Sequence, residues 1–94
     1  MKLTFRLHAV QKMFERQIST EDVREVIENG EVIREYADDR PYPSRLMLGW
    51  IGERPLHVVA ADNPADSETI IITAYEPDPA MWEADFKRKK GQDS

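Results

Sequence analysis

Two histidines are the side chains of this sequence best suited to moving protons at neutral pH, since an unperturbed imidazole has a pKa near 6.5. His8 is the stronger candidate for a general acid or base. At 100° per residue it shares a polar helix face with Lys12 and Glu15, and Arg16 flanks that face. The same pattern is typical of a solvated helix surface, and a cation at a helix end also compensates the helix dipole. Both interpretations stay open.

His57 and Tyr75 form a second pair of candidates. His57 lies between Leu56 and Val58 in a strand-like segment, so alternation directs its side chain to the opposite face of the sheet. There it could act as an acid or base beside Tyr75 on a neighbouring strand, and Tyr75 could donate a proton. The alternatives are a histidine whose polar atoms are satisfied within the sheet and a core tyrosine whose hydroxyl lies at the rim.

Arg40, Tyr42 and Arg45 come from a loop and the start of the strand that follows it. Binding groups collect in loops on a rigid sheet, and arginine holds a phosphate through two parallel hydrogen bonds. A phosphate clamp from Arg40 and Arg45 is therefore one interpretation. The other is an ordinary ion pair of Arg40 with Asp38 or Asp39.

Several other chemistries find no support in the sequence. There is no cysteine to act as a nucleophile, and the four glycines are too scattered for a phosphate-binding loop. The two histidines are far apart without a local ligand spacing, which argues against zinc. The acidic side chains between residues 62 and 68 lack the spacing of a calcium loop. We therefore expect neither a metal nor a cofactor.

Two helices are predicted before residue 31. Apolar residues at helical spacing predict a first helix over about 6–16, one face of which must pack on the rest of the protein; they are Leu7, Val10, Met13 and Phe14. Ser19 and Asp22 resemble a capping box that begins a second helix. That helix should end near Asn29, because Asn29-Gly30 tolerates the left-handed conformation common at helix ends.

The remaining chain is typical of strands. Extended segments are predicted over 31–37, 44–51, 56–61 and 68–76, the middle two forming an antiparallel hairpin. Residues 2–5 are predicted to be a short extended entry, and 80–82 a single helical turn. This order predicts an α+β fold with two N-terminal helices on one face of a four-stranded antiparallel sheet. We expect one domain over 1–88, with a short C-terminal turn and a basic, disordered tail over 89–94.

The composition limits what this chain can be. Its 94 residues allow one small core, so a dimer or a tight partner could add stability. The formal charge is −5, and all of the excess lies in residues 31–76, with nine acidic and four basic side chains. That acidity disfavours nonspecific attraction to nucleic acid. No apolar stretch approaches the roughly 20 residues that cross a bilayer, so we expect no membrane association and a cytoplasmic location.

Several motifs in order resemble the bacterial domain-of-unknown-function family DUF4258. They are His8-Ala9-Val10-Gln11-Lys12-Met13-Phe14-Glu15-Arg16, Ile18-Ser19 with Asp22-Val23, Asn29-Gly30-Glu31-Val32-Ile33, Pro41-Tyr42-Pro43 and Tyr75-Glu76-Pro77-Asp78. The similarity runs from about residue 5 to residue 88. The family looks related to the fold shared by RelE-type toxins, the BrnT toxin and barnase-like or EndoU-like ribonucleases.

This resemblance implies metal-independent RNA cleavage, within a toxin–antitoxin pair or a toxin-derived domain. Cleavage through the 2′-hydroxyl needs a base, an acid and positive groups for the phosphate. The catalytic candidates are then His8, Arg16, His57 and Tyr75, and the substrate-binding candidates are Lys12, Arg40, Tyr42 and Arg45. The implied partners are RNA and an antitoxin that covers the site.

The alternative is a non-catalytic member of the same fold that acts as a protein-interaction module, and the acidic middle segment favours it. Convergence of His8, the arginines and Tyr75 on one concave basic patch would favour the enzyme, whereas their dispersal would favour the module. We expect the protein to be a monomer or a small homo-oligomer.

Overall fold

The computed structural model describes residues 2–91 and contains two helices and five strands in one mixed sheet. In chain order these are β1 (Lys2–Phe5), α1 (Leu7–Glu15), α2 (Thr20–Asn29), β2 (Glu31–Tyr36), β3 (Ser44–Ile51), β4 (Arg54–Asn63) and β5 (Glu68–Tyr75). The α+β class is confirmed. Residues 92–94 of the predicted tail lie outside the described residues, and within residues 89–91 Lys89 forms a β-bridge with Trp82.

The prediction of four antiparallel strands is wrong, because the segment expected to be a simple entry is a fifth strand. The strand order is β1-β5-β4-β3-β2, and β1 pairs parallel with β5 while all the other pairs are antiparallel. Four residues carry too little pattern to be recognised as a strand. Pairing with β5 stabilises this short segment as a strand. The Thr4 hydroxyl also donates a 2.6 Å hydrogen bond to the Glu68 carboxylate.

The core lies between the helices and one face of the sheet. Ala9 and Met13 of α1 and Val23 and Val26 of α2 are buried against residues of β3, β4 and β5, which are Met47, Leu56, Val58, Ala60, Ile71 and Ala74. The predicted first helix is confirmed, but of the four apolar residues expected to pack only Met13 is buried. Leu7, Val10 and Phe14 are exposed, because the small Ala9 lets α1 lie against β5 through the Ala9–Met13 side instead.

A capping box determines where α2 begins, and the close approach of two backbone carbonyls to Gly30 determines where it ends. The capping box is confirmed, since the Ser19 hydroxyl accepts from the Asp22 backbone N–H at 3.0 Å and the Asp22 carboxylate accepts from the Ser19 N–H at 3.1 Å. Gly30, however, is extended, with φ −79°, and not left-handed. Glycine is needed there for space, because a Cβ would stand 2.5 Å from the Val26 carbonyl oxygen and 2.6 Å from that of Leu48.

Because both close atoms at Gly30 belong to the backbone, we predict that Gly30→Ala lowers the free energy of unfolding by about 2 kcal/mol. Urea denaturation at constant m-value measures this change. Gly52→Asn is the matched control, since Gly52 has φ +62°, where asparagine is tolerated, and an added Cβ meets nothing within 4 Å. Equal losses in the two variants would contradict the steric explanation.

Candidate functional site

The predicted site residues fall into three groups in the structure. His8 and Lys12 lie on α1, whose core contacts put it on the helical side of the sheet. His8 is exposed, and Lys12 pairs with Glu15 at 3.7 Å. Arg16 follows the helix, about 12 Å along its axis from His8. The first turn and the end of α1 therefore lie in different regions of the surface.

Arg40, Tyr42 and Arg45 form the second group, near the connection between β2 and β3. Tyr42 and Arg45 line a cavity of about 540 Å³. The Arg45 guanidinium donates to the Asp62 carboxylate at 3.0 Å, and Arg40 donates to the backbone carbonyl of Asp38 at 3.3 Å. Arg45 is thus already engaged by a carboxylate and does not offer an uncompensated charge to a phosphate.

His57 and Tyr75 form the third group, on the sheet face that points away from the helices, here called the far face. They are paired residues of β4 and β5, and their rings meet edge to face with centroids 5.3 Å apart. The Tyr75 hydroxyl oxygen lies 3.3 Å from His57 Nδ1. His57 is fully buried, whereas Tyr75 is partly exposed, so solvent reaches the pair through the tyrosine.

The hydrogen bonds around His57 determine which ring nitrogen carries the proton. Nε2 lies 2.8 Å from the Phe86 backbone carbonyl, which can only accept. The Nε2–H must therefore donate to it, and in the neutral ring Nδ1 has a free lone pair. That lone pair faces the Tyr75 hydroxyl, which donates its hydrogen to it. The oxygen of Tyr75 is then left as an acceptor.

Burial acts on both members of the pair in the direction that keeps them neutral. Desolvation lowers the pKa of His57, and the hydrogen bond to Phe86 opposes this as a smaller effect. Desolvation also raises the pKa of Tyr75, and the nearby Tyr36 phenol adds to that rise. The charges of Arg34 and Arg16 oppose it, so both arginines act electrostatically on the Tyr75 hydroxyl.

The residues after β5 cover one part of the far face; we call residues 77–91 the C-terminal segment. Trp82 is buried with its ring 4.5 Å from that of His57, and Phe86 contacts Trp50 at 5.8 Å. Lys87 pairs with Glu31 of β2 at 2.9 Å. Phe86 has φ +56°, which is unfavourable for a bulky residue, so these contacts must offset its conformational cost.

The positive charges near Tyr75 come from two directions. Arg34 of β2 lies with its guanidinium carbon 5.8 Å from the Trp82 ring centroid. Arg16 donates to the Ala74 carbonyl at 3.0 Å. It reaches this carbonyl because β1 pairs only with residues 68–71 of β5 and leaves the rest of that edge open. Arg34 thus comes from the β2 edge of the sheet and Arg16 from the side of β5, and the charges of both act on the Tyr75 hydroxyl.

Arg54 holds the end of α1 in this position. Its guanidinium donates to the carbonyls of Gln17 and Arg16, at 2.9 and 2.8 Å, and to the Glu76 carboxylate at 3.1 Å. The chain turn after α1 requires φ +57° at Gln17, and the bonds from Arg54 satisfy carbonyls that the helix leaves free. Arg54 was not selected from the sequence, where it stands only as part of a turn.

Arg34 was also missed, and the reason is a β-bulge. Strict alternation puts Val32 and Arg34 on the same face. The register shifts between them, so Val32 pairs with Met47 on the core side while Arg34 pairs with Leu46 on the far face. A bulge of this kind leaves no sequence signal here, because Ile33 is as suited to a regular strand as its neighbours.

Among residues 2–91, no three His, Asp or Glu side chains are grouped so as to hold a metal ion. Neither helix in this part of the chain is long and apolar enough to cross a membrane.

Comparison with known proteins gives one match. A protein-family model described as domain of unknown function (DUF4258) matches residues 5–76. That range includes α1, α2, all of β2 to β5 and the His57–Tyr75 pair, and it stops at Glu76, before the C-terminal segment. The comparisons with curated proteins and with solved structures found no match.

The buried state of His57 predicts how stability depends on pH. Its pKa is lower in the folded protein than in the unfolded chain, where it is near 6.5. Above that pH both states are neutral and the histidine has no effect on pH dependence. As the pH falls below 6.5 the unfolded chain takes up a proton first, so stability decreases, by at most about 1.4 kcal/mol per pH unit.

We therefore expect the free energy of unfolding to fall between pH 7 and pH 5.5 by more in the wild type than in His57→Gln, the difference being up to about 1 kcal/mol. Urea denaturation across this pH range measures the difference. His8→Gln, which replaces an exposed histidine, is the control and should keep the wild-type pH dependence. Retention of the full loss in His57→Gln would show that another group causes it.

Proposed function

The chain belongs to the family DUF4258, a domain of unknown function, and we propose that it is a metal-independent endoribonuclease whose active site is the His57–Tyr75 pair on the far face. The observation that supports this proposal is the 3.3 Å contact between Tyr75 Oη and His57 Nδ1. It joins a buried neutral imidazole to a partly exposed hydroxyl, on which the charges of Arg16 and Arg34 also act. These are the base and the positive groups that RNA cleavage requires.

The proposed reaction uses the substrate's own 2′-hydroxyl as the nucleophile. Its oxygen forms a bond to the adjacent phosphorus as its proton passes to Tyr75 Oη, and Tyr75 passes its own proton to His57 Nδ1. The bond from phosphorus to the 5′ oxygen then breaks, and the pair returns a proton to that oxygen. The products are a 2′,3′-cyclic phosphate and a free 5′-hydroxyl, so atoms and charge balance without another reactant.

Arg16 and Arg34 have the role of stabilising the phosphate in this scheme. The extra negative charge of the transition state develops on the phosphate oxygens, and fixed cations stabilise it more than they stabilise the ground state. The protein as a whole carries a charge of −5, which weakens long-range attraction of RNA. Recognition therefore depends on these local charges, and binding should weaken as salt rises.

The proposal retains part of the set selected from the sequence. Arg16, His57 and Tyr75 stay in the machinery, and Arg34 is added to it. The two remaining groups, His8 with Lys12 and Arg40 with Tyr42 and Arg45, are assigned no step, because they belong to other regions of the surface. A RelE-like toxin in the cytoplasm, paired with an antitoxin, is the setting we propose for the activity.

A second candidate function is a non-catalytic protein-interaction module, and two observations favour it. The first is that His8, the Arg40–Arg45 region and Tyr75 lie in three separate parts of the structure and do not converge on one basic patch. The second is an exposed apolar surface. Leu7 and Phe14 of α1 are 73% and 86% exposed, and Val10 between them is 44% exposed. Large apolar side chains grouped on a helix surface are typical of protein contacts. In this case the His57–Tyr75 pair would only anchor the C-terminal segment.

Tyr75→Phe should separate the two functions, because it removes the proton-relaying hydroxyl and leaves the ring. We predict that induced expression of the wild type arrests bacterial growth with new RNA cleavage products, and that Tyr75→Phe lowers the cleavage rate by about 100-fold. Arg34→Gln should lower it too. The measurement is total RNA from induced cells together with the rate of cleavage by the purified proteins in a chelator.

Arg24→Gln is the matched control for Arg34→Gln, since Arg24 is an exposed arginine of α2 that pairs with Glu28 at 3.8 Å. It should cleave at the wild-type rate, and melting curves should show that all variants are folded. Intact RNA with every protein, or full activity in a folded Tyr75→Phe, would contradict the nuclease. Intact RNA would leave the interaction module as the better account.

A further inference from the structure

Two cations meet at the ring of Trp82, beside the His57–Tyr75 pair. The Lys89 ammonium lies 5.9 Å from the centroid of that ring, and the Arg34 guanidinium carbon lies 5.8 Å from it. The same ring lies 4.5 Å from that of His57. Both charges therefore lie in the immediate neighbourhood of the proposed active site, within reach of one RNA strand.

Lys89 is held at this position by backbone hydrogen bonds of its two chain neighbours. The N–H of Lys90 donates to the Met81 carbonyl at 2.9 Å, and the carbonyl of Arg88 accepts from the Glu83 N–H at 2.8 Å. A cation on ordered backbone loses less conformational entropy when it binds an anion than a cation on a mobile chain end. The position of Lys89 thus favours binding.

The four basic residues of the C-terminal segment differ in their partners. Lys87 pairs with Glu31 at 2.9 Å and Arg88 pairs with Asp85 at 3.1 Å, so carboxylates compensate both charges. In the part of the chain that the structure describes, Lys89 makes no ion pair, and its ammonium faces an aromatic ring instead. A ring attracts an ammonium group through its quadrupole and leaves its positive charge in place.

The two cations at this ring differ in their relation to Tyr75. Among the described residues, the charges that act on the Tyr75 hydroxyl are those of Arg34 and Arg16 and not that of Lys89, which therefore lies farther from it. Two like charges near one ring also repel each other. The phosphates of a strand that passes both cations would remove this repulsion.

We propose that Lys89 binds the RNA phosphate next to the one that is cleaved, so that the C-terminal segment forms part of the RNA-binding surface. This inference rests on the proposed function, because it takes RNA as the ligand and places Arg34 at the cleaved phosphate. The strand crosses the far face with two successive phosphates at the two cations. Such a local pair suits a protein of net charge −5, since long-range attraction of RNA is weak.

Binding of a 2′-O-methyl oligoribonucleotide to the full-length protein tests the subsite without catalysis, because this ligand has no 2′-hydroxyl to react. Fluorescence anisotropy gives the dissociation constant from about 20 to about 200 mM salt. We expect Lys89→Gln to raise the dissociation constant about fivefold at the lowest salt. The slope of log K against log salt should become shallower by about 0.7, the value for one phosphate contact on a single strand.

Two further variants separate phosphate binding from loss of charge in general and from loss of packing on Trp82. Lys90→Gln is the matched control, since Lys90 is the next residue and is exposed, and alternation directs its side chain away from that of Lys89. It removes the same charge and should leave the slope unchanged. Lys89→Arg keeps the charge and should bind like the wild type, and melting curves should show that all variants are folded.

Cleavage of the unmodified RNA by the same variants relates the subsite to the proposed function. Lys89→Gln should raise KM about fivefold and leave kcat unchanged, because a neighbouring phosphate is bound equally in the ground state and the transition state. Arg34→Gln should lower kcat. The expected binding results with RNA left intact would contradict the nuclease and support the subsite.

The subsite would be overturned by a wild type that does not bind the oligonucleotide at the lowest salt. An unchanged slope in Lys89→Gln or an equal change in Lys90→Gln would also overturn it. So would a folded Lys89→Arg that binds as weakly as Lys89→Gln, because the charge would then have no part in binding.

Discussion

The hydrogen bond from His57 to the Phe86 carbonyl is the interaction on which the rest of the far face depends. A carbonyl can only accept, so this bond fixes the proton on Nε2 and leaves Nδ1 as the acceptor for Tyr75. It also holds the C-terminal segment against the sheet, with Trp82 packed on the same ring. One buried imidazole thus determines both the orientation of the Tyr75 hydroxyl and the cover above it.

One face of the sheet is apolar and the other carries polar side chains, and β-bulges help to direct each residue to the appropriate face. The helical face is apolar and supplies the core. On the far face a bulge in β2 turns Arg34 outward, and the register shift between β4 and β5 lets Ile71 and Ala74 face the core while Tyr75 pairs with His57. A regular sheet could not combine this core with these polar groups, because alternation would send some of them inward.

Much of the fold was predictable, because it depends on local signals. The capping box at Ser19, the hairpin of β3 and β4 and the apolar run of β5 each have a strong signature in sequence. The predictions that were wrong concern features that depend on residues far away in the sequence. Residues 2–5 form a strand because they pair with β5. The packed side of α1 is determined by Ala9, and an alanine is too small to mark the core side of a helix in a sequence pattern.

The residues of the candidate site also divide into those that follow from local patterns and those that depend on residues far away in the sequence. The position of His57 opposite Leu56 and Val58 follows from alternation, and its neighbour Tyr75 follows from strand pairing. Arg34 depends on a bulge and Arg54 on the end of α1, so neither could be selected from residue type and spacing. The ion pair of Arg45 with Asp62 joins residues of two different strands, so it has no local signal in the sequence.

The central claim is that the His57–Tyr75 pair activates a 2′-hydroxyl, and the most direct measurement is cleavage of a matched pair of oligonucleotides by the purified protein in a chelator. One is an oligoribonucleotide, and the other has the same sequence with every 2′-hydroxyl methylated. If the pair acts in this way, the protein cleaves the first alone and leaves 2′,3′-cyclic phosphate ends. Cleavage of both, or of neither at any concentration of protein, would contradict it.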